Sequence, residues 1–161
     1  MSAHRTLLAL CAFVCAGQAL AQSPASASID VPEGAHLVLS AHGEGSQVYT
    51  CVDGHWTLKA PDAKLLDAHG TQIGTHFAGP TWKLTDGSEV KGKAVGSQAS
   101  PDADSVPWLL LEAVPGSGSG QLATVAWIRR TETKGGKAPT AACSSGTMPI
   151  SYSANYSFYS R

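Results

Sequence analysis

The sequence predicts an all-β domain: an antiparallel β-sandwich or a closed β-barrel of about nine or ten short strands, with one disulfide. Three observations carry that prediction. Apolar and polar residues alternate with period 2 along much of the chain, whereas a helical period is hard to find. Turn signals, of which Asp53-Gly54 and Asp86-Gly87 are the tightest, separate the alternating runs at short spacing. Two cysteines, Cys51 and Cys143, remain once an N-terminal export signal is set aside, an even count in an oxidising compartment.

The elements follow in order. Residues 1–21 read as a signal peptide: Arg5 in a short n-region, the apolar run TLLALCAFVCAG, and the small-x-small pattern Ala19-Leu20-Ala21. That run is too short to span a bilayer, which needs about 20 residues. Leu10 and Val14, which precede Cys11 and Cys15, are not the small residues that lipid attachment requires, so neither cysteine reads as an anchor. Residues 22–29 read as a disordered leader, and residues 30–161 as a single β domain.

Within that domain, residues 36–41 (HLVLSA) read as a strand, Gly43-Glu44-Gly45 as a break, and residues 47–52 (QVYTCV) as the hairpin partner. Asp53-Gly54 turns the chain into HWTLKA, which Pro61-Asp62 interrupts. Residues 64–68 and 71–77 flank the turn His69-Gly70. Gly79-Pro80 separates the latter from TWKL, with Trp82 and Leu84 on one face; Asp86-Gly87 then reverses the chain into residues 90–95. A polar loop leads to WLLLEAV, which lacks alternation and suits a strand buried on both faces better than a short helix. GSGSG reads as a flexible connection, QLATVAWIRR as a long strand, and residues 138–149 as an irregular segment pinned at Cys143. Tyr152, Ala154, Tyr156 and Phe158 share one face of the closing strand, opposite Ser151, Ser153, Asn155 and Ser157.

Composition excludes several function classes. Charged residues make up only 14% of the chain, against roughly 25% in ordinary soluble proteins. Without Arg5 there are 10 Lys and Arg against 12 Asp and Glu, a net charge of −2, which offers no basic surface to nucleic acid. No later apolar run reaches membrane-spanning length. A bridge from Cys51 to Cys143 would close a loop of about 90 residues, which the chain-entropy model values at roughly 4–5 kcal/mol. No C-x-x-C spacing supports a redox or metal role for the pair.

The order Tyr-x-Cys, Gly-Thr-His-x-x-Gly-Pro-x-Trp, Asp-Gly-Ser, Pro-Trp-Leu-Leu-Leu, then a late cysteine and an aromatic closing strand resembles a secreted bacterial and fungal family, the domain of unknown function 3455. The resemblance covers nearly all of residues 22–161 and implies no established reaction and no catalytic residues. Some fungal relatives carry a malate dehydrogenase label. This chain has neither the G-x-G-x-x-G turn nor the βαβ unit that such an enzyme needs.

The candidate site residues are His76, Gly79, Pro80 and Trp82, within GTHFAGPTW. The Gly-Pro bend leaves backbone accessible beside an indole that suits a sugar ring or an apolar ligand. His36, His42, His55 and His69 form no His-x-His or H-E-x-x-H pattern; six strand residues put His36 and His42 about 20 Å apart. No metal ligands and no cofactor are therefore assigned. G-x-S-x-G fails at both Ser117 and Ser119, and Asp53, Asp62, Asp67 and Asp86 read as turn residues. The expected function is a non-enzymatic, monomeric binding module in the periplasm or outside the cell, taking a small molecule, a glycan or a protein. The rival is a secreted metal-dependent or hydrolytic enzyme centred on His76.

Overall fold

The computed structural model describes residues 27–161; the signal peptide expected over residues 1–21 lies outside them. The chain is all-β. Eight antiparallel strands follow one another around a closed barrel: β1 (His36–Val52), β2 (His55–Leu66), β3 (Gln72–Phe77), β4 (Thr81–Leu84), β5 (Glu89–Gln98), β6 (Trp108–Ala113), β7 (Val125–Gly135) and β8 (Thr147–Ser160). β8 pairs back onto β1 from Thr50↔Thr147 to His36↔Ser160 and closes the ring. Closure pairs the first strand with the last and so removes the two outer edges of the sheet.

Strand parity decides what fills the barrel. Tyr152, Ala154, Tyr156 and Phe158 of β8 are all buried, as their alternation predicts, and they meet Leu65, Trp82, Leu84, Val90, Leu111 and Ile128 in one cluster. A short 3-10 turn, η1 (Gly120–Leu122), sits where a flexible connection and the start of a strand are predicted. It adds the fully buried Leu122 to that cluster. Two contacts hold η1 in place: the Gln121 amide donates to Ser88 Oγ at 2.8 Å, and Gln121 Nε2 donates to Asp86 Oδ2 at 2.7 Å.

The strand count is eight rather than nine or ten because two expected breaks lie inside strands. β1 runs straight through Gly43-Glu44-Gly45. Gly43 faces inward, and a Cβ there would come within 2.8 Å of the Tyr156 ring. The glycines answer to close packing, not to a turn. β2 likewise runs through Pro61-Asp62. Its pairing with β3 ends at Ala63↔His76, so Pro61 borders no strand on that side, where a sheet tolerates proline.

Asp53 and Gly54 both have positive φ, 50° and 82°, the signature of the tight hairpin turn between β1 and β2. The 137–146 segment lies against this hairpin. Cys143 N donates to Gly54 O, Cys51 N donates to Gly146 O, and Cys51 is bonded to Cys143. Ahead of β1, Ala27 O accepts from Ser97 N, and Ile29 is buried.

Candidate functional site

β3 and β4 bring His76 and Trp82 side by side, since His76↔Trp82 is a register pair on the inner face. Their rings stack, with centroids 4.4 Å apart and planes 8° from parallel. Tyr156 meets both rings edge-on, and Phe158 meets Trp82 edge-on as well. The turn at 78–80 joins these strands. Gly79 adopts φ of 101°, which favours glycine, and Thr81 Oγ1 donates to Ala78 O across the turn.

This turn also settles the tautomer of His76. Its Nδ1 lies 2.9 Å from the Thr81 carbonyl oxygen, which can only accept, so Nδ1 carries the hydrogen. Nε2 then holds a lone pair. The imidazole is 3% exposed, and burial drives its pKa from 6.5 down to about 4. The hydrogen bond to Thr81 opposes that fall, and the nearby Arg130 charge adds to it. His76 is therefore a neutral ring at physiological pH.

Beside this stack the barrel holds a cavity of about 280 Å³. His76, Trp82, Gly79 and Pro80 all line it. So do Leu58, Lys59, Ala60 and Pro61, on the part of β2 that extends past β3. Ala94 of β5 and Leu109 and Leu111 of β6 supply more of the apolar wall, and Gln47, Arg130 and Tyr156 complete the lining.

The polar groups here are unevenly satisfied. Tyr152 and Tyr156 hydrogen-bond through their hydroxyls, and Tyr49 donates its hydroxyl to Gly136 O at 2.6 Å. Burial raises the pKa of all three phenols, so they stay protonated. Arg130 Nη2 donates to Pro107 O at 2.7 Å. Its Nε, however, is buried without a partner, and so is Trp82 Nε1. Buried donors are rarely left unpaired. None of the salt bridges among the described residues involves Arg130.

The other histidines lie elsewhere. His42 Nδ1 is 2.7 Å from Asn155 Oδ1, and its Nε2 is 3.6 Å from Glu44. Among the described residues, no three His, Cys, Asp or Glu side chains are placed to hold a metal ion. No described helix is long and apolar enough to cross a membrane. A larger, shallower depression of about 590 Å³ lies between the β6–β7 connection and Arg161, apart from the histidine and the stacked rings.

The residue missed by sequence reasoning is Arg130. Its parity with Ile128 in QLATVAWIRR places it on the inner face, where a cation is unusual, and that was the available signal. Pro61 was missed as well, because it reads as a breaker rather than as a wall residue.

No curated protein and no solved structure matches the chain. A family match does run over residues 32–160, a span that holds all eight strands, both bonded cysteines and every residue of the cavity. The chain thus belongs to the family described as Protein of unknown function (DUF3455).

Proposed function

We propose that this protein is an exported, non-enzymatic β-barrel that binds a small molecule in its interior cavity, in the periplasm or outside the cell. One observation carries the reading: an aromatic, largely apolar cavity inside a closed barrel, holding a few convergent polar groups. Pre-formed cavities of this make-up are where small ligands bind. A wall of Leu58, Leu109, Leu111 and Pro80 favours an apolar body over a glycan, whose hydroxyls it cannot satisfy.

The lining also favours binding over catalysis. It contains no Asp, Glu, Ser, Thr or Cys, and His76 already spends Nδ1 on Thr81. A hydrolase centred on His76 needs a nucleophile or a carboxylate partner within reach. Export is supported by the signal-like N-terminus and by the Cys51–Cys143 bond, which persists in oxidising compartments.

The test is a titration of apolar compounds of about ten heavy atoms, sized at roughly 30 Å³ each, into ¹⁵N-labelled protein. The expected result is a saturable shift of the Trp82 indole N–H, assigned by its loss in Trp82→Phe. Ala60→Trp, which adds an indole to the cavity wall, should abolish that shift. A shift that survives in Ala60→Trp, or none with any compound, sinks the reading.

A further inference from the structure

We propose that the occupant of this cavity is a small organic anion: a carboxylate seated on Arg130, with an apolar body against Trp82, Leu109 and Leu111. The proposal rests on the binding reading above and deepens it.

Charge makes the first case. The lining carries two cations, Arg130 and Lys59, and no anion. Arg130 is not paired with any carboxylate among the described residues. Arg130 is half-buried, lies 6.0 Å from the Tyr152 ring centroid and touches the Tyr152 and Tyr156 hydroxyls, but these neutral partners leave its charge without a counter-ion in a mostly apolar wall. A cationic ligand would meet repulsion, and a neutral one would leave that charge unanswered.

Hydrogen bonding makes the second. Four buried N–H groups among the described residues lack acceptors, and two of them, Arg130 Nε and Trp82 Nε1, belong to side chains that line the cavity. Trp82 is only 1% exposed. The other side chains of the lining offer few acceptors: the Gln47 carbonyl, shared with Tyr152, one lone pair at His76 Nε2, and the Tyr156 hydroxyl, engaged with Tyr152. A carboxylate brings two oxygens that only accept, and it fits the fork of a guanidinium.

Size sets the third limit. About 280 Å³ holds roughly nine or ten non-hydrogen atoms at the ~30 Å³ a water takes in the liquid. A medium-chain fatty acid or an aryl-acetic acid meets that limit.

The experiment titrates octanoate, octanol and octylammonium into the disulfide-bonded mature protein by calorimetry, with the Trp82 indole N–H followed by NMR. Octanoate should bind at least tenfold tighter than octanol, and octylammonium should bind more weakly than either. Arg130→Gln, checked for its fold by circular dichroism, should bring octanoate down to the level of octanol. Arg130→Lys keeps the charge but not the fork; it should keep a reduced preference for the acid, and it serves as the test if Arg130→Gln does not fold. Equal affinity for octanoate and octanol in the unsubstituted protein overturns the anion proposal and leaves the cavity reading standing. A tenfold preference that persists in Arg130→Gln overturns the assignment to Arg130. Silence of the Trp82 signal with all three probes removes the cavity reading itself.

Discussion

Acidification from pH 7 to 4.5 should weaken the fold at His76. In the unfolded chain its imidazole titrates near the usual 6.5; in the barrel, burial holds it at about 4. Below pH 6.5 the unfolded state takes up a proton that the folded state refuses. Stability is thus fully present above 6.5 and is lost as the pH falls toward 4, after which the loss levels off. The gap corresponds to roughly 3 kcal/mol at about 1.4 kcal/mol per pH unit, of which about 2 kcal/mol is lost between pH 7 and 4.5. With a urea slope of ~2 kcal/mol per molar, the unfolding midpoint should drop by about 1 M. Asp67, Asp86 and Asp102 are held below the usual carboxylate range, chiefly by backbone N–H donors at Thr71, Ser88 and Asp104. Their contribution is present above the ordinary carboxylate pKa and is lost only as the pH falls below it, so an endpoint of 4.5 stays clear of them. The comparison is with His76→Phe, which keeps an aromatic ring against Trp82 and cannot titrate. Its stability should be lower at pH 7, because the Thr81 carbonyl loses its donor. Its pH dependence should be flatter than the wild type's by about 2 kcal/mol over the same interval. Equal pH dependence in the two proteins, measured by urea unfolding at each pH, would refute the buried neutral imidazole.

Two other substitutions probe what holds the barrel. Replacing Cys51 and Cys143 together by alanine frees a chain separation of 92 residues, and roughly 4–5 kcal/mol of stability should go with it; an unchanged urea midpoint would show that the bond adds nothing. Gly43→Ala sets a Cβ within 2.8 Å of the Tyr156 ring, so ~1–3 kcal/mol should be lost to overpacking, unless the unfolding midpoint shows that Tyr156 moves aside freely.

Much of the barrel was legible because its signals are local. The β8 alternation, the Asp53-Gly54 reversal and the strand Thr81–Leu84 are each written in a few adjacent residues, and the structure follows them. The breaks at Gly43–Gly45 and Pro61 were misread because a glycine or proline carries the same local signal whether it turns the chain or yields to a neighbour. Only the partner distinguishes the two cases. For Gly43 the partner is Tyr156, 113 residues away in sequence; for Pro61 it is the early end of β3. Closure into a ring depends on the β1–β8 register, which no single strand records. The inward stretch of β7 was partly obscured by a shift in register between Val125 and Trp127. That shift puts Val125 and Ile128, which strict alternation assigns to opposite faces, into the same core cluster.

The same long-range logic explains why the cavity and the core share their residues. An eight-stranded barrel is just wide enough for inward side chains to fill it. Around Phe158, Leu84, Val90, Leu122 and Ile128 they do, and those side chains are buried together. Around His76 the inward positions of neighbouring strands are small: Ala63 on β2, Gly92 and Ala94 on β5. A Cβ on Gly92 would press within 3.1 Å of Trp82, so this smallness admits the indole first. Space remains beyond it because β3 ends before β2 does and because the turn at Gly79-Pro80 carries no long side chain. GTHFAGPTW therefore serves two ends through one geometry. It stacks His76 on Trp82 as part of the core, and it leaves one side of that stack facing a cavity whose charged wall, Arg130, comes from a strand some fifty residues away.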